Sequence, residues 1–565
     1  MFSKISFISL LLIGSAILTP GIAQLLQNEQ SPFGMHGENS PPFDNSLLNV
    51  GAKTVRYSAT LAAWDFIERT KGIYNWSQID SLVSATYQNN ITMMLTVRSF
   101  NRWDQGASNP AGNQKYPKDI NAYTKFLKTM VERYDGDGIN DASGSPVVKY
   151  FQIENEVDGN FWDDTPEKYA ELLTISYKTI KEANPNAKVA IAGVSTPKGF
   201  YDFYISVLNA LKEKSFDIFD MHWYEKAEEY KKINLIGGSY DFKTFLSDLN
   251  SKLTSYGYPG ISLWMSETAT YGGVNVVDQL GNLMPEQNEK VQAANLLKRY
   301  AYYIANGVDV VMWYKMIETH HTTGGVGRSN DYFENTGLIN NPQNSDGLSH
   351  KKLAYYTYKK MVEKLEGSDW KNIATIQEQN GIYIYKFTKQ GTPVWVAWND
   401  SNITRTITIS GISSNRVRTT EAVPKYESGK EVGDYTTAFQ TDTLVVTNGT
   451  VALTLGQRPV FVEPFTVTSV EEESENIPQE FLLYQNYPNP FNPTTTIKFQ
   501  VPSFRFVSLK IFDVLGREVA TLVNGELNAG EHTVQFNAKH LPSGVYFYRL
   551  SAGSYSESKK MLITK

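Results

Sequence analysis

The sequence predicts an α/β chain: a (β/α)8 barrel, then a β-sandwich, then a small all-β domain resembling an immunoglobulin fold. Three observations lead there. Between residues 30 and 366, short apolar runs alternate eight times with amphipathic stretches. Over 367–466 the pattern changes to β-branched and aromatic alternation broken by turn residues. An acidic stretch poor in apolar residues, "TSVEEESENIPQE", then reads as a linker at 467–480, and strands resume over 481–565.

The eight candidate barrel strands are "FGMHG", "KTVRYS", "ITMMLTVRS", "KYFQIENE", "KVAIAGVS", "FDIFDMHWY", "ISLWMSE" and "VDVVMWYKM". Between them, apolar residues recur at helical spacing. Examples are Ile79, Leu82, Val83 and Tyr87; Tyr123, Phe126, Leu127 and Met130; and Val291, Ala294, Leu297 and Tyr300. Thr165 and Pro166 supply an N-cap and first-turn proline ahead of Tyr169, Leu172, Leu173 and Ile180. A doubly wound open sheet competes with the barrel. It often carries G-x-G-x-x-G after its first strand, and "FGMHGENS" is not that motif.

Composition narrows the function. The 565 residues carry a net charge of −6, against a nucleic-acid partner that would demand a basic face. There is no cysteine, so disulfides and thiolate metal sites are excluded. The seven histidines show no ligand spacing, and no cofactor is implied. Residues 1–23 open "MFSKISFISLLLIGSAILTPGIA", with Lys4 before an apolar stretch and small residues at its end, which predicts a secretory signal peptide. No later segment reads as transmembrane.

In such a barrel, functional residues sit at the C-terminal ends of the strands. Strand four delivers Asn155 and Glu156, and strand seven delivers Ser266 and Glu267. The other ends offer His36, Glu38, Arg56, His222, Tyr224 and Trp313. Two carboxylates facing across one mouth suit glycoside hydrolysis. One acid protonates the leaving oxygen, and the other attacks the anomeric carbon or activates water. Each residue also has a plainer reading. Glu156, Glu267 and Arg56 could be structural ion-pair partners, and His222 could only hydrogen-bond within the mouth. Glu154 reads as structural or a helper. "THHTTGGVG" at 319–327 reads as a substrate-side loop. Trp103 and Trp162 could stack on distal sugars or pack at the surface.

On these residues the barrel resembles glycoside hydrolase clan A, the retaining (β/α)8 glycosidases. "WDFIERTKGIYNWSQID" and "IENEVDG" are similar to family 39, and His222-x-Tyr224 to family 5. The resemblance implies that Glu156 is the acid/base and Glu267 the nucleophile. It implies that Arg56 and Tyr224 hold the nucleophile, that Asn155 meets the sugar 2-hydroxyl, and that Trp313 is the floor of the central subsite. His222 and His36 complete the expected substrate-binding set. The expectation is a secreted β-glycosidase acting on poly- or oligosaccharides. A glycan-binding protein on a degenerate barrel and a transglycosylase are the alternatives.

The tail carries "YQNYPNPFNPTTTIKFQVP", "VSLKIFDVLGREVATLVNGELNAGEHTVQFNA" and "LPSGVYFYRLSAGSYSESKKMLITK". It resembles the C-terminal sorting domain of the type IX secretion system. That implies the secretion machinery as a partner and a secreted or cell-surface product. Phe512, Tyr546 and Tyr548 are read there as alternating core residues, and Trp395 and Trp398 of the sandwich as buried strand residues.

Overall fold

The computed structural model describes residues 31–37, 44–57, 60–106, 114–225, 229–235, 238–273, 276–277, 283–318, 332–341, 350–465, 480–502, 505–527, 530–553 and 555–564. The expected signal peptide, Glu38, the 319–327 loop and nearly all of the expected linker lie outside them. The chain divides into two compact units, the first ending at Phe465.

The first unit holds a closed barrel of eight parallel strands. They are β1 (Phe33–His36), β2 (Thr54–Arg56), β3 (Thr92–Val97), β4 (Tyr150–Ile153), β5 (Lys188–Ala190), β6 (Ile218–Tyr224), β7 (Ser262–Ala269) and β8 (Val310–Trp313). Each pairs with its neighbour in sequence, and β8 closes on β1. All eight match the expected runs. A short hairpin, Lys232–Leu235 with Gly238–Asp241, is inserted after β6.

Side chains alternate along each strand, so one parity faces the lumen and the other faces the helices. Met94, Tyr150, Ala190, Ile218, Trp264, Val310 and Met312 fill the lower lumen as a small apolar cluster. The opposite parity, including Met35, Val55, Leu95, Phe151, Val311 and Trp313, joins the large outer core beneath the helices. The helices form as their stripes predict. The helix Ile120–Arg133 buries Tyr123, Phe126, Leu127 and Met130. In the helix Pro166–Ala183, the Thr165 side chain accepts the Lys168 N–H as N-cap.

The helix Glu289–Ala305 departs from the expected single stripe. It is buried over almost its whole circumference, while Val291 is only half-buried. The following β domain covers its outer face. Lys298 donates to Asp400 at 3.0 Å, Lys290 to Glu427 at 2.9 Å, and the Glu289 N–H to Ser428 at 3.2 Å. Asp400 also takes Lys231 at 2.5 Å and the Tyr230 hydroxyl at 3.1 Å.

That β domain has a six-stranded sheet and a two-stranded pair. The alternating runs "GIYIYKFT", "PVWVAWND", "TRTITISG", "TLVVTNGT", "VALTLG" and "PVFVEPF" all hold strands. Two further strands, Ala374–Gln379 and Arg416–Glu421, are polar enough to escape the hydrophobic pattern. Trp395 and Trp398 are buried, with the Trp398 indole N–H on the Tyr230 hydroxyl at 3.0 Å.

The second unit has a three-stranded and a four-stranded antiparallel sheet. Ile497, Phe499, Leu509, Ile511, Tyr546 and Tyr548 share its core. Phe512 does not join them. Its neighbour Ile511 takes the inward parity, and Phe512 lies half-buried under the Arg549 guanidinium. Among the described residues, no helix is long and apolar enough to cross a membrane.

Replacing Asp400 with Ala strips Lys298 and Lys231 of a charge partner at the barrel–sandwich contact. The expected cost is about 2–3 kcal/mol in thermal or denaturant unfolding of the first unit. An unchanged midpoint would show that the contact carries no stability.

Candidate active site

The lumen turns polar above the apolar cluster. Gln152 and Asp220, both fully buried, and Thr96 and Ser266 form a layer across the barrel. The Gln152 amide donates to Asp220 at 2.5 Å, and its carbonyl oxygen accepts from Thr96 at 2.8 Å. The Ser266 N–H and hydroxyl both donate to Asp220, at 2.9 and 2.5 Å.

On this layer rests Arg56. Its Nε donates to Gln152 at 2.9 Å and Thr96 at 3.1 Å. Its Nη1 donates to Glu267 at 2.5 Å and to His36 Nε2 at 2.9 Å, while Nη2 donates to Asn155 at 2.5 Å. Every guanidinium nitrogen is thus committed, and the side chain is 3% exposed. His36 accepts through Nε2, which leaves its proton on Nδ1. Burial, then the Arg56 charge, bring its pKa down to about 3.

Glu267 is aimed by an irregularity. Asp220 pairs with Trp264, but His222 pairs with Glu267, so β7 uses three steps where β6 uses two. The β7–β8 register slips at the same place. This bulge lets Ser266 and Glu267 both address the lumen side. The Tyr224 hydroxyl donates to Glu267 Oε2 at 2.6 Å. Burial favours the neutral acid, but the charges of His222 and Arg56, with the Tyr224 hydrogen bond, outweigh it and hold Glu267 down to about 2.

Glu156 arrives by a different route. After β4 the backbone takes left-handed φ values of 66° at Glu154 and 42° at Glu156. Such conformations are costly for non-glycine residues and collect at functional sites. His222 Nδ1 lies 2.6 Å from Glu156 Oε1 and 3.6 Å from Glu267 Oε2. Its Nε2 lies 3.2 Å from the Ser266 hydroxyl. Burial opposes the imidazolium, but the charge of Glu267, the hydrogen bond and charge of Glu156, and Asp220 raise His222 to about 9. At neutral pH it is a cation held between two carboxylates.

One oxygen each from Glu156 and Glu267, and one nitrogen of His222, lie within 4.8 Å of one another. That spacing could be spanned by a cation. The protonated His222 already supplies the positive charge there and has no lone pair to ligate with.

The structure therefore brings together Glu156, Glu267, Asn155, Arg56, Tyr224, His222 and His36. His222 and Trp313 differ from their expected places. The His222 side chain is wholly buried and serves Glu156 rather than the open mouth. Trp313 is wholly buried on the outer parity, with its indole N–H on the Thr336 carbonyl at 2.9 Å. Val310 and Met312 face the lumen, so Tyr314 inherits the mouth position and stands 4.9 Å from the His36 ring. Glu154 is structural: its Oε1 accepts the Ser99 N–H at 2.6 Å. Trp103 and Trp162 donate to the Glu68 and Thr165 carbonyls, so both indoles pack rather than project. Sequence reasoning missed Gln152, Asp220 and Tyr314. Counting back two residues from Glu154 and His222 would have found the first two, and the last stands one residue beyond Trp313. It also missed Gly193, where a Cβ would sit 2.1 Å from His222 Nε2.

Two outcomes follow from these charges. In a pH titration of the imidazole nitrogens by NMR, His222 stays protonated through neutrality and titrates near 9, while His36 stays neutral down to about 3. Glu156→Gln moves the His222 midpoint to lower pH; an unmoved midpoint would dissociate the two groups. The stability signs are opposite. The His222 contribution is full below 6.5 and lost as pH rises through about 9. The His36 contribution is full above 6.5 and lost as pH falls through about 3. The paired effect of replacing both histidines on Tm is therefore greatest near pH 6.5.

Residues 485–564 match the family described as the secretion system C-terminal sorting domain. Among solved structures, the chain resembles a glucosidase from Croceicoccus marinus, at 13% identity over 78% of this chain and 97% of that one, with a TM-score of 0.52. It resembles an α-L-arabinofuranosidase from Thermotoga maritima, at 12% identity over 77% and 96%, with a TM-score of 0.52. A GH39 β-xylosidase from Caulobacter crescentus aligns at 14% identity over 77% and 96%, with a TM-score of 0.50. No curated protein matches the sequence. At these identities the likeness to the solved structures is one of fold. The C-terminal segment is a sorting domain that marks this chain for export by the type IX secretion system, to the cell surface or beyond, and the unit before it has the barrel fold of these solved structures.

Proposed function

We propose that the barrel is a retaining β-glycoside hydrolase acting on poly- or oligosaccharides. The observation that carries this reading is the carboxylate pair. Glu156 and Glu267 bring oxygens within 4.8 Å of each other, and Glu267 is held ionised at about 2. Retaining glycosidases place their carboxyls about 5–5.5 Å apart, and inverting ones wider, to admit a water.

Glu267 attacks the anomeric carbon as the glycosidic bond breaks, and Glu156 passes to the departing oxygen the proton it shares with His222 Nδ1 across 2.6 Å. Arg56 and Tyr224 keep Glu267 charged and aimed until that moment. Once Glu267 is esterified its charge is gone. Glu156 then takes a proton from the water that releases the sugar. The Asn155 carbonyl oxygen is occupied by Arg56, which turns its amide N–H groups toward the sugar 2-hydroxyl. Tyr314, rather than Trp313, offers a ring at the mouth.

The test is sugar release from β-glucan, xylan, mannan and aryl β-glycosides. Glu267→Ala lowers turnover by about three orders of magnitude or more. Glu156→Gln lowers it about 10²–10⁴-fold, most on poor leaving groups. Azide restores turnover in Glu156→Ala, because it needs no base to open the glycosyl ester. NMR of the first-formed anomer shows retention; inversion would overturn the double displacement. Gly193→Ala, which crowds His222, lowers kcat while the protein remains folded by circular dichroism.

A further inference from the structure

We propose that Arg98 recognises the carboxylate of a uronic-acid residue, making the mouth selective for acidic glycans. The inference deepens the glycosidase reading and rests on it for where the sugar lies.

Arg98 follows β3 on the inward parity of Met94 and Thr96. That parity and its place just past the C-terminal end of β3 put it on the mouth side of the barrel. Its side chain is 11% exposed, yet its Nε and Nη2 are buried and, among the described residues, have no hydrogen-bond partner. Among those residues the nearest carboxylate oxygen, Glu154 Oε2, stands off at 3.8 Å and likewise has no hydrogen bond.

Two other arginines of the barrel behave differently. Arg102 closes on Asp65 with two bonds of 2.7 Å, and Arg133 on Asp80 with bonds of 2.7 and 2.6 Å. Arg98 and Glu154 are each held away from such closure. Glu154 is fixed by the Ser99 N–H at 2.6 Å and by its left-handed backbone. The Arg98 guanidinium lies 5.4 Å from the Phe161 ring centroid, on the loop after β4. Burial also pushes the Glu154 carboxyl above its ordinary range, which weakens the charge it sets beside Arg98.

A buried guanidinium with open N–H groups is costly unless a ligand fills it. Its planar fork matches a carboxylate, which accepts two parallel bonds and carries the opposing charge; a hydroxyl does neither. Clan likeness does not supply this preference; the open fork does.

The experiment pairs uronic-acid oligosaccharides from glucuronoxylan, pectin and alginate with the same oligosaccharides after carboxyl reduction. Turnover and calorimetric binding are measured for the full chain, Arg98→Gln and Arg98→Lys. The expected result is a wild-type preference for at least one acidic member over its reduced form. That preference falls at least about tenfold in Arg98→Gln and by less in Arg98→Lys, which keeps charge without the fork. An equal fall on both members of a pair would assign Arg98 to structure and overturn the proposal. So would a wild type that binds no acidic member better than its reduced form. Absence of turnover with the binding preference still moved by Arg98→Gln would sink the hydrolase reading and leave this one standing.

Discussion

Arg56 is the constraint on which the site depends. One buried cation fixes the nucleophile candidate, its neighbour Asn155 and the tautomer of His36, while standing on Gln152 and Thr96. A guanidinium can do this because its donors lie in a rigid plane, and five strands converge on that plane. The desolvation cost of burying it is offset only because every nitrogen is used. A lysine would keep the charge and lose the geometry.

Below Arg56 lies a polar layer with an unusual economy of charge. Asp220 is a fully buried carboxylate, and burial pushes its pKa up. It receives hydrogen bonds from Gln152 and Ser266 and lies 3.8 Å from His222 Nε2. The network therefore runs continuously from Glu156 through His222 and Ser266 to Asp220, then through Gln152 to Arg56 and Glu267. Two histidines bracket it in opposite states. His36 meets a cation and stays neutral; His222 meets carboxylates and stays charged. The same side chain type is tuned in two directions by what faces it.

Much of this was legible in the sequence, and the gaps have physical causes. The barrel strands carry apolar runs because both faces are buried, and all eight could be read. The polar strands Ala374–Gln379 and Arg416–Glu421 could not, because one is largely exposed and the other is held by backbone pairing to its neighbours. At the site, residue type and strand order identified Glu156, Glu267, Arg56 and Tyr224. They misplaced Trp313, because a strand's parity is set by its lower residues and Trp313 falls on the wrong one. Asp220 and Gln152 were hidden by a prior that buried polar side chains are exceptions, although here they are the platform.

The bulge in β7 changes what a residue inventory is worth. Glu267 lies an odd three residues from Trp264 and reaches the lumen because the bulge absorbs the extra one. A strand of the same length without the bulge would keep the same motif, the same order and the same composition, and would turn this carboxylate toward the helices. Two homologues could then share every recognised residue and differ in chemistry. In this barrel, competence is written in backbone register as much as in identity, and the loss of the β7 bulge is a more informative difference than many substitutions outside it.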